Sequence, residues 1–141
     1  MIVKCISAYP TKEQIECLGS GFLGNHNINV VVGREYLVLA LTFNMSLQTS
    51  GKGVWVDILM ESDIPTLISA PLCLFEITDP RVSAYWELGT LSDGSVMLRP
   101  RSFYGKSFLE DVSNRVAEAV QEFWHVHGLM EMEAKTQIRT A

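Results

Sequence analysis

Residues 28–43 read INVVVGREYLVLALTF, and the second half of this stretch limits what the chain can become. Between Tyr36 and Phe43 apolar residues occupy both parities: Leu37, Leu39, Leu41 and Phe43 on one side, Tyr36, Val38 and Ala40 on the other. Successive side chains of an extended strand point to opposite faces, so a strand that is apolar on both must be covered on both. The pattern predicts a central strand over Tyr36–Phe43. A β-rich run at Ile28–Val32 precedes it, and the reversal falls at Gly33-Arg34-Glu35, where glycine permits φ > 0.

Other elements follow from local signals. Ile2–Ser7 reads as a first strand, and Thr11-Lys12-Glu13-Gln14 has the T-x-x-Q form of a capping box, predicting a short helix over Lys12–Leu18. Gly19-Ser20-Gly21 would end it, and Ser50-Gly51-Lys52-Gly53 is a turn before a strand at Val54–Met60. That strand alternates, with Val54, Val56, Ile58 and Met60 inward and Trp55, Asp57 and Leu59 on a partly wet face. Leu72–Ile77 reads as one compact strand. Tyr85–Leu91 and Val96–Arg99 flank Asp93-Gly94, a two-residue hairpin signal that places Trp86 opposite Arg101 and Leu88 opposite Arg99. Ser107-Phe108-Leu109-Glu110 is a second capping box, and Phe108, Val112, Val116, Val120, Phe123, His127 and Met130 form one stripe of a long helix, weakened at Gly128.

The expected fold is α+β over residues 1–141 as a single domain. It is a small, strongly bent antiparallel sheet or SH3-like partly open barrel, with a short N-terminal helix and a long C-terminal helix packed on it. No apolar run reaches the roughly 20 residues that cross a bilayer, and the N-terminus lacks a signal-peptide pattern, so a cytoplasmic protein without membrane contact is expected. The cysteines Cys5, Cys17 and Cys73 show no CxxC spacing; buried free thiols are expected, with neither a disulfide framework nor a zinc site.

The net charge of −5 is unevenly distributed. Residues 1–60 balance, whereas residues 107–134 carry Glu110, Asp111, Glu118, Glu122, Glu131 and Glu133 against Arg115 alone. Such a balance disfavours nucleic acid and suits a basic protein partner.

Signs of catalysis are weak. His127 and Glu131, four apart, could share one helix face, but His125 and His127 point to nearly opposite sides, and the reading is a structural histidine without a metal. No serine sits in a G-x-S-x-G elbow, and the G-x-G-x-x-G of Gly19–Gly24 follows a helix instead of opening one. No cofactor is expected. Arg99, Arg101 and Lys106 with Trp86, Phe103 and Tyr104 would be the basis of single-strand nucleic-acid binding, set against a hairpin edge kept soluble by charge.

Four segments carry a resemblance. Gly33-Arg34-Glu35-Tyr36-Leu37-Val38-Leu39, Gly53-Val54-Trp55-Val56, Pro71-Leu72-Cys73-Leu74-Phe75-Glu76-Ile77-Thr78-Asp79 and Arg81-Val82-Ser83-Ala84-Tyr85-Trp86 are similar to patterns in small bacterial immunity-type proteins associated with polymorphic or contact-dependent toxin systems. The likeness spans about residues 30–90 and falls mostly on structural positions. It implies a non-enzymatic protein that binds and blocks a cognate, basic toxin domain. The resemblance carries over no interface residue; the acidic balance of the last helix selects Glu110, Asp111, Glu118 and Glu122 as partner-binding residues, with Trp55 or Tyr104 as an aromatic anchor. The alternative is an SH3-like regulatory module binding a peptide or nucleic acid. Neither reading specifies an oligomeric state.

Overall fold

The structure, a computed structural model, describes residues 1–19, 29–45, 52–60 and 65–140, with side chains to residue 136. Ile28, the glycine pattern beyond Gly19 and the Ser50-Gly51 half of the predicted turn lie outside the described residues. The strands are β1 (Ile2–Cys5), β2 (Glu35–Leu37), β3 (Ala40–Asn44), β4 (Gly53–Met60), β5 (Thr66–Pro71), β6 (Phe75–Asp79), β7 (Trp86–Thr90) and β8 (Val96–Pro100). Helices are α1 (Lys12–Leu18), α2 (Phe108–Ser113) and α3 (Ala117–Thr140), with 3-10 turns at Leu72–Leu74 and Arg101–Tyr104. At α1 the capping box is closed in both directions between Thr11 and Gln14.

The strands form two antiparallel sheets, ordered β2-β1-β6 and β5-β4-β3-β8-β7. No ladder among the described residues closes either into a barrel, so the SH3-like closure expected from the sequence is replaced by two open sheets. The predicted central strand covers all but the last residue of β3, the middle strand of the larger sheet, but it is not one strand. The Val38 N–H donates to the Met1 carbonyl at 3.1 Å, beside the small sheet, and the Leu39 N–H donates to the Asp57 carbonyl at 2.9 Å, in the large sheet. Two consecutive amides therefore serve different sheets, and the chain crosses between them. Its side chains divide accordingly: Val38 and Leu41 enter one core and Leu39 the other.

The Leu72–Leu74 turn makes a second crossing, from β5 in the large sheet to β6 in the small one, which is why the predicted Leu72–Ile77 strand begins only at Phe75. The Ile28–Val32 run is also corrected. Its described part forms no strand: the Val31 N–H donates to the Tyr36 hydroxyl at 2.9 Å, the Arg34 N–H closes a turn onto the Val31 carbonyl, and Val31 and Val32 are exposed.

The first core lies between the sheets, joining Val3, Cys5, Tyr36 and Phe75 to Leu41, Trp55, Val56, Ile58 and Ala70. The second lies on the opposite face of the large sheet, where Leu39, Leu59 and Leu67 meet Phe103, Val112, Ala119, Phe123, Val126 and Met130. Three layers result, small sheet on large sheet on helices. Trp86 packs against both cores, and its indole N–H donates to the Leu39 carbonyl at 2.8 Å.

The hairpin register differs by one from the sequence expectation: Trp86 faces Pro100, Glu87 faces Arg99 and Leu88 faces Leu98. A three-residue loop causes the shift. The Gly94 N–H returns to the Leu91 carbonyl at 3.0 Å, and Gly94 at φ +87° makes the left-handed step before the Leu91–Ser95 pair.

The predicted single terminal helix is two. Arg115 takes φ +61°, its N–H bonds to the Val112 carbonyl, and the Val116 N–H reaches back to Asp111. These are the paired bonds of a Schellman C-cap, ending α2. Ser107 makes no capping bond; its hydroxyl donates to Asp111 Oδ2 at 3.0 Å. Val116, assigned to the buried stripe, is exposed. Within α3 the buried line is Ala119, Phe123, Val126, Met130 and Ala134, and the helix continues through Gly128.

Two outcomes test these joints. Trp86→Phe keeps a ring but removes the donor to a buried carbonyl, an expected loss of about 1–3 kcal/mol read as a lower urea midpoint with unchanged slope. Equal stability would show that the indole bond does not hold the crossing. Arg115→Gly relieves the left-handed strain and should raise stability by roughly 1 kcal/mol in the same titration, whereas a loss would contradict the C-cap.

Candidate functional site

The helices turn a charged side to solvent because the apolar line of α3 is taken up by the large sheet. Glu118 sits in the first turn of α3, where a carboxylate complements the helix dipole, and Glu122 follows one turn later. Both are exposed. The Ser102 hydroxyl donates to Glu122 Oε1 at 2.6 Å, holding that side chain against the Arg101–Tyr104 turn. Glu110 is exposed on α2, and Asp111 is half-buried and accepts from the exposed Ser107 hydroxyl. Among the described residues the ion pairs join Asp79 to Arg81 and Glu131 to Lys135 and His127, so none neutralises these four carboxylates. They do not share one continuous strip, since the turn at Asn114–Val116 separates Glu110 and Asp111 from Glu118 and Glu122.

Beside Glu122 is a shallow hollow of about 270 Å³ between α3 and the base of the β7–β8 hairpin. Val126 and Leu129 floor it, Tyr85 and Pro100 wall it, and Glu87 and Arg101 lie at its edge. An apolar floor inside a polar rim is the anatomy of a protein-contact surface.

The two expected aromatic anchors are elsewhere. Trp55 is 5% exposed and belongs to the inter-sheet core, so its indole is not on a wet face as the strand alternation suggested. Tyr104 lies down on the hairpin: its hydroxyl donates to the Glu87 carbonyl at 2.6 Å, with the Met97 carbonyl at 3.1 Å. Gly89 makes room for it, since a Cβ there would come within 2.5 Å of the ring. Arg99 covers the ring at 5.6 Å in a cation–π contact. Phe103 is buried as well, so the Arg99–Lys106 region offers no aromatic platform for stacked bases.

Sequence reasoning missed Trp124. It is 43% exposed, meets Phe123 and His127 edge to face, and stands on the solvent side of α3. The signal was available, since a tryptophan one residue beyond a buried helical position falls outside the apolar line.

A second polar group spans the large sheet. Asp57 accepts from the Ser69 hydroxyl at 2.7 Å, and burial pushes its carboxyl up against the opposing effects of Ser69 and Arg99. The bond is cross-strand, with Asp57 facing Ser69 in the ladder.

His127 stacks on Phe123 and lies 4.0 Å from Glu131. No group of three or more metal-ligating side chains occurs among the described residues. Desolvation lowers the His127 pKa from its ordinary 6.5, with Glu131 acting in the other direction. The unfolded chain therefore takes up the proton first. Stability is fully present above the unfolded value, declines as pH falls through it, and levels off below the folded value. His127→Gln should flatten the loss of stability between about pH 8 and pH 5, measured by urea unfolding. An unchanged slope would assign the acid sensitivity to other groups.

Comparisons with known protein families, with curated proteins and with solved structures return no match for this chain.

Proposed function

We propose that this chain is a non-enzymatic binding protein of the immunity type, which covers a basic toxin domain in the cytosol with the outer face of α3. The observation that carries the reading is the pair Glu118 and Glu122, exposed one helical turn apart and, among the described residues, without an ion pair to a lysine or arginine. The hollow beside Glu122 supports it, because Val126, Leu129 and Tyr85 give an inserted side chain an apolar seat.

The mechanism is a plug steered by charge. Two carboxylates on a rigid helix raise the encounter rate with a lysine- and arginine-rich groove and fix its orientation, and the apolar hollow slows departure. No bond in the toxin needs to change. Inhibition comes from occupying the groove through which substrate must pass.

The test uses a toxin domain encoded in the reading frame beside this gene. Co-expression should restore growth. Joint substitution Glu118→Lys and Glu122→Lys should lower the association rate about tenfold and remove most of its salt dependence. An association rate and salt dependence equal to wild type would remove this face of α3 from the interface.

A further inference from the structure

An open groove of about 450 Å³ runs between α1, the start of β4 and the end of β5, lined by no residue of α3. Leu18, Val54, Pro71 and Leu72 give it apolar walls, and two cysteines line it. The sequence reading expected all thiols to be buried. Cys5 is, but Cys17 is exposed and Cys73 is half-buried.

The helix brings the two together. Gln14 Nε2 donates to the Cys73 carbonyl at 3.4 Å, fixing that turn of α1 over the Leu72–Leu74 turn. Cys17 is three residues after Gln14 and thus on the same helix face, one turn further along the groove. We propose that Cys17 and Cys73 are a redox pair, oxidised by a small-molecule disulfide to an intramolecular bond that ties α1 to the turn after β5.

The step balances by two exchanges. The Cys17 thiolate attacks one sulfur of the small disulfide, forming a mixed disulfide and releasing one thiol. The Cys73 sulfur, its proton lost to solvent, then attacks Cys17 Sγ and expels the second thiol. Both protein thiols are oxidised, and the reagent is reduced to two thiols.

Accessibility sets the order. Burial pushes the Cys73 thiol up, and the neighbouring Cys17 adds to that effect, so Cys73 suits the resolving role and exposed Cys17 the attacking one. Cys5 takes no part: it is 1% exposed, and its thiol donates to the Ser7 carbonyl at 3.4 Å. A disulfide demands about 4.4–6.8 Å between Cα atoms, and Cys17 and Cys73 line the same groove closely enough for Cys17 to act on the Cys73 thiol. Leu18 is the one residue α1 buries, with Ile15 packed beside it, so the helix rests on the inter-sheet core at those two positions. In a reducing compartment such a bond is transient, which makes it a response to oxidation and not a permanent staple.

The intact chain is incubated with oxidised glutathione, then examined by intact mass and by peptide mapping without reductant. The expected product is a monomer lighter by two hydrogens, containing one Cys17–Cys73 peptide pair and melting at a higher temperature than the reduced chain. Cys5→Ser should retain that pair, and Cys17→Ser and Cys73→Ser should each abolish it. A wild-type chain ending as a stable glutathione adduct, as a disulfide-linked dimer or with Cys5 in the bond would overturn the proposal. The map of the wild-type protein decides this even if a variant folds poorly.

Discussion

The fold depends on how the backbone is satisfied at Leu39. Its N–H belongs to the large sheet through Asp57, its carbonyl is held by the Trp86 indole, and its side chain is fully buried among the helices. One residue earlier, Val38 is bonded to Met1 and packed between the sheets. A buried amide without a partner is costly, so these bonds leave the chain little freedom over where it changes sheet. Once the crossing is fixed, the large sheet has a core on each face, and the terminal helices have a place to bury Phe123 and Met130.

The same division positions the acidic residues. Because Phe103 and Phe123 stack at 5.7 Å and close the helix-side core, the opposite side of α3 is left to water with Glu118, His125 and Trp124. The break at Arg115 then sets α2 apart, so that Glu110 and Asp111 present a separate surface. Charge that appears as one block in the sequence is distributed over two helices in space.

Much of the layering was legible in the sequence. The doubly apolar run located the centre of the large sheet, the alternation in Val54–Met60 located β4, and the Thr11–Gln14 box located α1. What escaped was wherever the backbone changes partner without changing composition. Tyr36–Phe43 reads as one strand because local propensity carries no record of which sheet each amide joins. Arg115 gives no sign of a left-handed cap, where a glycine would have done so. At the candidate site, the carboxylates were found from charge alone, but the anchors were misplaced: Trp55 alternates outward in an ideal strand yet is covered in the core. The resemblance motifs show the same bias toward architecture. Tyr36 caps the Val31 turn, and Trp86 pins the crossing.

Glu133 ties the two ends of the chain's history together. One carboxylate oxygen accepts from the Ser83 hydroxyl and the other from the Ala84 N–H, each at 2.7 Å, in the connection between β6 and β7. That connection joins one sheet to the other, so its anchor is supplied by a residue some fifty positions downstream. During synthesis on a ribosome, both sheets could emerge and pair while this link still lacked its acceptor. Anchoring that link requires Glu133 of α3 to be in place, which makes α3 a latch on the β6–β7 connection.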